Sequence, residues 1–460
     1  MKTKLSLRWG VVLFLLAALP GLTAVMAQGQ EPVVIGNEVS SAPIPWVNTE
    51  SEPNDSMATA DAFQPFQGGT ITCFGDADYF KIEPLNLNDY SDTNSPILID
   101  IEASTIGSPL QAKISLYAPD GTLVDSAYYN SATDPLLYYN LFSKGFYMEP
   151  EPYYLAVQSN VSGCGNNYKY EVLVSNPLLI SAAAAKLGTA NVDGISFQAG
   201  DVLAWSAFDM VTVTYEKWNM LLDLSDLGVK GNLTNLAGAW RNSDFLLIGF
   251  AANVTLPGVA VVVKPADVVM FDPSQVGPNT TGTFQLWWRG SDHQLTTTAE
   301  KLDAIDWPSW GGATTLFAST TGTAAVTKSG GGTLKLPDED IGLWGPQNVW
   351  VNYFDHSAVA GMGAEDVIGL SIAEETVVNG NGDWDNYHIY NVVIQGSGLC
   401  GPAPRVPVTQ KDILRHVERW GWYMDEPYDH VLYPCQIAWH GPDHGWNYNI
   451  DAIEFYGSND

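Results

Sequence analysis

Short runs of alternating apolar and polar residues, broken at close intervals by glycine, proline and aspartate, restrict this chain to pleated strands. Ile97-Leu-Ile-Asp-Ile101, Ile114-Ser-Leu-Tyr117, Tyr153-Tyr-Leu-Ala-Val157 and Tyr168-Lys-Tyr-Glu-Val-Leu-Val174 follow one another, with Asp120-Gly121 placed as a hairpin turn. A period of two sends successive side chains to opposite faces of a sheet, and turn signals this frequent favour antiparallel sandwiches over helices. Composition agrees. Gly 43 and Pro 27 against 20 Lys+Arg mark a turn-rich, helix-poor protein, and 46% hydrophobic with only 15% charged residues excludes wholesale disorder and coiled coil. A chain of 460 residues has the length for two or three domains. The expected class is all-β.

Residues 1–27 read as an export signal. Met1 to Arg8 is a short basic stretch, Val11 to Leu22 an apolar one interrupted by Pro20, and Val25-Met26-Ala27 sets small residues before Gln28, where a signal peptidase would cut. Residues 28–45 form a linker, Pro-rich at Ser41-Ala-Pro43-Ile-Pro45. No later run approaches the ~20 apolar residues that cross a bilayer, so the mature chain is expected to be secreted, with no membrane span. The formal net charge is −31, and loss of Lys2, Lys4 and Arg8 with the leader makes it more negative. So acidic a surface repels phosphate backbones and anionic lipid; nucleic acid is disfavoured as a partner, and calcium-rich extracellular surroundings are suited.

Residues 46–176 carry a series of markers. Glu50-Ser-Glu52-Pro53-Asn54-Asp55-Ser56 comes first, then a Gly68-Gly69 turn, then Ile71-Thr-Cys-Phe-Gly75-Asp76-Ala-Asp78-Tyr79-Phe80 and the alternating strands. The order E-P-N-D-S, G-D-x-D-Y-F, L-Y-x-x-D-G, Y-Y-L-x-V resembles the bacterial pre-peptidase C-terminal (PPC) domain, a jelly-roll appended to secreted hydrolases. The resemblance implies an antiparallel jelly-roll sandwich and a bacterial host. Glu50, Glu52, Asn54 and Asp55 put four oxygen donors into six residues, and Asp76 and Asp78 add two more. Calcium takes six to eight oxygens, and carboxylates this crowded repel one another unless a cation offsets them. The E-x-E-x-N-D spacing is similar to the calcium site of the related collagen-binding domains of bacterial collagenases, where the ion fixes the N-terminal linker against the sandwich. Calcium held by these six residues is therefore expected; the competing reading is an Asx-type turn among solvated acids, with Asp78 capping its strand. Tyr128, Tyr129, Tyr138 and Tyr139 read as strand residues, so collagen affinity does not follow.

Residues 178–460 repeat themselves. One unit runs Gly200-Asp201-Val-Leu-Ala-Trp205, Trp218 to Asp226, Leu236 to Trp240 and Asp244 to Phe250, and later units open at Asp267, Asp340 and Asp412. These aspartates lie 66, 73 and 72 residues apart. Each unit offers about four short strands, the content of one propeller blade, so a four-bladed β-propeller is expected. Val192 to Phe197 is the strand expected to be donated from the start to complete the last unit, in which Gln410 to Trp420 could form a short helix. The repeated aspartate reads as a turn cap in preference to a channel-lining cation ligand.

Other candidate ligands lie late in the chain. Asn379, Asn381, Asp383 and Asp385 alternate oxygen donors with glycine, as calcium loops do, but lack the distal glutamate; a plain turn is the alternative. His440, Asp443 and His444 offer three metal ligands or a His–Asp acid/base pair, against a turn with histidines packed beside aromatics. Four cysteines suit an oxidising compartment and allow three pairings; the domain division implies Cys73 with Cys164 and Cys400 with Cys435. No H-E-x-x-H, G-x-S-x-G or P-loop occurs. The function expected is a secreted, non-catalytic binding or adhesion protein with a calcium-stabilised sandwich, its partner an extracellular polymer, surface protein or glycan. The alternatives are a secreted peptidase or glycosidase with its active site in the C-terminal domain, and a calcium-held structural component of an extracellular layer.

Overall fold

Alternation along Thr93–Glu102 builds the molecule in two directions at once. Ile97, Ile99 and Ile101 face one way and join Leu137, Tyr139 and Leu141 of Leu136–Ser143 in the core of a sandwich. The computed structural model describes residues 48–455, apart from 64–65, 73–74, 83–92, 131–132, 144–151, 183–189, 210–213, 230–232, 238–243, 299, 308–314, 329–330, 346, 356–364, 379–383, 402–404 and 423–428. The leader and linker expected from the sequence lie outside these residues.

One sheet of the sandwich runs in the order Asn48–Thr49, Phe66–Thr70, Lys169–Ser175, Thr93–Glu102, Leu136–Ser143. The facing sheet runs Asp61–Ala62, Ala77–Ile82, Tyr153–Ser159, Ala112–Tyr117, Leu123–Tyr128. All pairs are antiparallel except the first in each sheet, which are parallel. The expected Gly68-Gly69 turn is instead part of the strand Phe66–Thr70.

The opposite face of Thr93–Glu102 docks on the second region. Leu98 and Tyr138 enter a core with Leu179, Leu246, Phe271 and Phe284. Lys217 Nζ reaches Asp100 at 2.5 Å and also contacts Glu102; Asn219 Nδ2 donates to Asp100 at 3.0 Å. The Ser175 and Ser206 hydroxyls meet at 2.7 Å.

Among the described residues, the second region is built on four larger sheets of antiparallel strands, with three two-stranded hairpins beside them. The first contains Ile450–Phe455, Leu178–Ala182, Val202–Asp209 and Thr214–Leu222; the second Leu233–Ala237, Leu246–Phe250, Val268–Gln275 and Thr281–Trp288. The third contains Leu302–Asp306, Leu316–Thr320, Ile341–Gly345 and Val349–Phe354. The fourth contains Val367–Val378, Trp384–Ile394 and Asp412–Trp422, with Asp429–Leu432 and Gln436–His440 sharing its outer edge. Separate apolar cores fill the spaces between the first and second, second and third, third and fourth, and fourth and first sheets. The first strands pack in the same cycle, 233–237 on 302–306, 302–306 on 367–378, 367–378 on 450–455, and 450–455 on 233–237.

Three expectations are corrected. The sequence unit that opens at each aspartate straddles two sheets, because its last two strands begin the next one. The strand that joins the end of the region to its start is Leu178–Ala182, paired with Ile450–Phe455, while Ala190–Val192 and Ile195–Phe197 form a small hairpin of their own. Gln410 to Trp420 is strand rather than helix, from Asp412 to Trp422. Among the described residues, helix is confined to short 3-10 turns.

The repeated aspartates do cap turns. Asp201, Asp267 and Asp412 are buried and accept the backbone N–H three residues earlier, from Gln198 at 2.7 Å, Lys264 at 2.9 Å and Thr409 at 2.6 Å. At the fourth, that position is Pro337, which has no N–H, and Asp340 accepts instead from Asn352 Nδ2 at 2.6 Å. Cys400 and Cys435 form the expected disulfide. Cys164 is a free thiol, half-buried beside the sandwich core, and its expected partner Cys73 lies outside the described residues.

Lys217 is the cation that lets two acids lie in the interface between the regions. Its replacement by Ala should lower the unfolding free energy by about 3 kcal/mol, because Asp100 and Glu102 are left facing each other with little water. Urea denaturation measures this, and Lys217→Met with Asp100→Asn and Glu102→Gln should recover most of the loss.

Candidate metal centre

Two strand ends and one loop bring the six predicted donors together. Glu50 follows Asn48–Thr49; its N–H donates to the Gly68 carbonyl at 2.9 Å, and its Oε1 accepts the Thr70 N–H at 2.6 Å. The chain then turns through Glu52, Asn54 and Asp55, held by Ser51, whose N–H and hydroxyl donate to Asp61 at 2.7 and 2.6 Å, and by Tyr79 N–H to the Asn54 carbonyl at 3.1 Å. Asp76 sits just before Ala77–Ile82 and accepts from the Thr72 N–H at 2.5 Å and hydroxyl at 2.8 Å. On that strand Asp78, Phe80 and Ile82 are buried in alternation, so Asp78 sends its carboxyl between the sheets rather than capping the strand from outside.

Carboxylate oxygens of Glu50, Glu52 and Asp78 lie within 4.8 Å of one another, as do those of Glu52, Asp55 and Asp76. Glu52 belongs to both groups. Asn54 is fully buried beside them, and its Oδ1, like Asp78 Oδ1, receives no hydrogen bond. Burial first, then the Glu50 carboxyl against it, push Asp78 up to about 10. Glu52 is raised too, chiefly by lost hydration and further by Asp76, Glu50 and Asp55. The chemistry of the set is uniform: five carboxyls and one amide carbonyl, all oxygen. That set fits a hard divalent cation and lacks the imidazole or thiolate of a zinc or copper site.

Two residues outside the predicted six complete the site. The Tyr170 hydroxyl lies 2.5 Å from Asp78 Oδ2 and 3.1 Å from Glu50 Oε2, and it has one proton to give. Gly69 stands opposite Tyr170 in the sheet, and a side chain there would collide with the Tyr170 ring and the Glu50 carboxylate. Neither is conspicuous in the sequence: Tyr170 reads as one more strand aromatic, and Gly69 as a turn.

The late candidates do not assemble in this way. Asn379, Asn381 and Asp383 lie outside the described residues, and Asp385 is a strand residue paired with Val377 and Gly421. His440 Nδ1 meets Asp412 at 2.5 Å, His444 Nδ1 meets Glu216 at 3.0 Å, and Asp443 is exposed. Among the described residues, the groups of three or more His, Cys, Asp or Glu close enough to share an ion are the two in the sandwich.

A repeated packing device accounts for this histidine segment. Trp288-Arg-Gly290-Ser-Asp292-His293 and Trp439-His-Gly441-Pro-Asp443-His444 each end in a 3-10 turn followed by a left-handed residue, Gln294 or Gly445. His293 stacks on Trp288 at 4.1 Å and His444 on Trp439 at 5.3 Å. Each histidine carbonyl accepts an indole N–H from the next sheet, Trp350 at 2.9 Å and Trp218 at 3.1 Å.

No protein-family profile, curated protein or solved structure matches the chain.

Tyr170→Phe removes the one hydroxyl between Glu50 and Asp78. In metal-free buffer it should destabilise the protein by about 2 kcal/mol, the cost of stranding buried acceptors, and denaturant midpoints will register it. An unchanged midpoint would show that the hydroxyl does not hold the two carboxyls.

Proposed function

We propose that this is a secreted, non-catalytic binding or adhesion protein whose N-terminal sandwich, a PPC-like jelly-roll, is stabilised by calcium. The convergence of Glu50, Glu52, Asn54, Asp55, Asp76 and Asp78 carries the reading, together with the two buried oxygens that receive no hydrogen bond. A divalent ion would give those oxygens a partner and offset five carboxylates at once. It would also tie the loop after Asn48–Thr49 to the body of the sandwich, so that the start of the folded region depends on the ion.

We read the second region as a four-bladed β-propeller. Support comes from the cyclic packing of the four first strands and from the pairing of the final strand with Leu178–Ala182. Export is supported by the leader, by the Cys400–Cys435 disulfide, and by the fact that no helix among the described residues is long and apolar enough to cross a membrane. The partner in this reading is an extracellular polymer, surface protein or glycan. The hydrolase alternative loses the constellation named for it, since His440 and His444 turn to separate carboxylates.

Thermal melts with added calcium, with chelator, and on Glu52→Ala/Asp55→Ala test the calcium site. Calcium at a hundredfold excess over its Kd should add about 2.7 kcal/mol and raise the melting temperature of the native chain by several degrees. The double variant should melt at the chelated value in either buffer. Identical melts of the native chain with calcium and with chelator would end the proposal.

A further inference from the structure

The seam between the third and fourth sheets buries acids that have no cation. The first strand of each of the four sheets carries one β-bulge, at Thr234, Asp303, Ile368 and Asp451, where a residue is left out of the pairing with the next strand. A bulge re-aims its extra side chain. At Asp303 that side chain is an acid, 5% exposed, and no other described residue donates a hydrogen bond to either of its oxygens.

What faces it is another acid. Asp366, the residue before Val367–Val378, is the side chain that acts most on Asp303, and Asp338 acts on it too. Asp366 Oδ1 is likewise buried without a hydrogen-bond partner. Backbone bonds fix both neighbours: the Asp366 carbonyl accepts from Gln395 N–H at 2.8 Å, and the Asp338 carbonyl from Val367 N–H at 3.2 Å and the Ser319 hydroxyl at 2.9 Å. Burial, then Asp366, push Asp303 well above the carboxylate range; burial, then Asp338 and Glu339, hold Asp366 at about 6. At the same bulge of the first sheet, burial alone raises Asp451 to about 6.

No strand packed here offers a cation. Leu302–Asp306 packs on Leu233–Ala237, Leu316–Thr320, Val367–Val378 and Ile450–Phe455, and none of the four contains a lysine, arginine or histidine. Their titratable residues are Glu374, Glu375, Asp451 and Glu454; Asp306 shares the strand of Asp303, and Glu339 and Asp355 lie beyond Asp338. Lys301, just before the strand, makes no ion pair with either acid. Two carboxyls this buried cannot both ionise without a cation, whereas one proton between them turns repulsion into a hydrogen bond.

We propose that this proton is a pH-sensitive latch: shared by Asp303 and Asp366 it holds the third sheet to the fourth, and its loss to solvent loosens the seam. An acid held protonated in the fold supports it fully below the ordinary carboxylate range, and that support is lost as pH rises through the raised values. These residues are distinct from the calcium ligands, so either proposal can fail alone.

Thermal melts in chelator at pH 4.5 and pH 8 test the latch on the native chain, Asp303→Asn, Asp366→Asn and the double variant. An amide keeps the shape of the acid and does not ionise. Asp303→Asn should therefore melt about 2 °C or more above the native chain at pH 8, and within about 1 °C of it at pH 4.5. Asp366→Asn should do the same, and the double variant should add nothing to the better single one, because one shared proton is being replaced. Hydrogen exchange of the native chain reads the seam directly: amides of 302–306 and 367–372, corrected for intrinsic rate, should lose about tenfold protection between pH 6 and pH 8. Both single variants melting at or below the native value at pH 8, or above it by the same margin at both pH values, would overturn the proposal. So would unchanged protection of the two strands. Calcium raising the pH 8 melt of Glu52→Ala/Asp55→Ala, and not once Asp303→Asn is added, would overturn it as well, because the acids would then hold an ion.

Discussion

The second region rests on the hydrogen-bonded pairing of Leu178–Ala182 with Ile450–Phe455. Apolar cores lie against both faces of the four sheets, and Ile450–Phe455, the last described strand, supplies one edge of the first. That strand serves two cores. Ile450 and Ile453 pack with Leu178, Ile180, Trp439 and Trp446, while Ala452 joins Leu179 on the other side. The entropy of closing a loop grows only with the logarithm of its length, so a link between remote segments costs little more than a local one. The price is kinetic: the pairing has high contact order and forms only after nearly the whole region has been synthesised.

Strand content was legible because period two is a local property. The positions of the repeated aspartates were legible for the same reason, since three of the four cap a turn that begins three residues earlier. The phase of the repeat was not. Sequence similarity groups strands from the aspartate onward, whereas hydrogen bonding changes sheet two strands later, in a loop without a distinguishing residue. The segment from Gln410 misled for another reason. Leu414, His416 and Glu418 are buried while Arg415, Val417 and Arg419 are less so, a true alternation whose inward members include two polar residues. Polar inward positions erase the contrast on which pattern reading depends.

At the candidate metal centre, four of the six predicted donors fall within six residues, and density alone exposed them. Tyr170 did not stand out because it lies 92 residues from Asp78, and only the pairing of the two sheets brings it there. Gly69 carries the converse lesson: a glycine pair signals a turn unless something else occupies the space of the missing side chain. His440, Asp443 and His444 had metal-like spacing for a reason that involves no metal. The turn that places the histidine beside tryptophan also fixes the interval between them, and its counterpart at Arg289, Asp292 and His293 has an arginine in place of the first histidine.

A chain with 51 acids and 20 lysines and arginines cannot give every carboxylate a cationic partner of its own. Lys217 serves two of them at once, between Asp100 and Glu102. In the sandwich, oxygens of Glu50, Glu52 and Asp78, and of Glu52, Asp55 and Asp76, are held within 4.8 Å of one another by a backbone anchored at Glu50, Asp61 and Thr72. Lost hydration, and then repulsion from Asp76, Glu50 and Asp55, push Glu52 up there, which is the electrostatic cost of setting acids this close together.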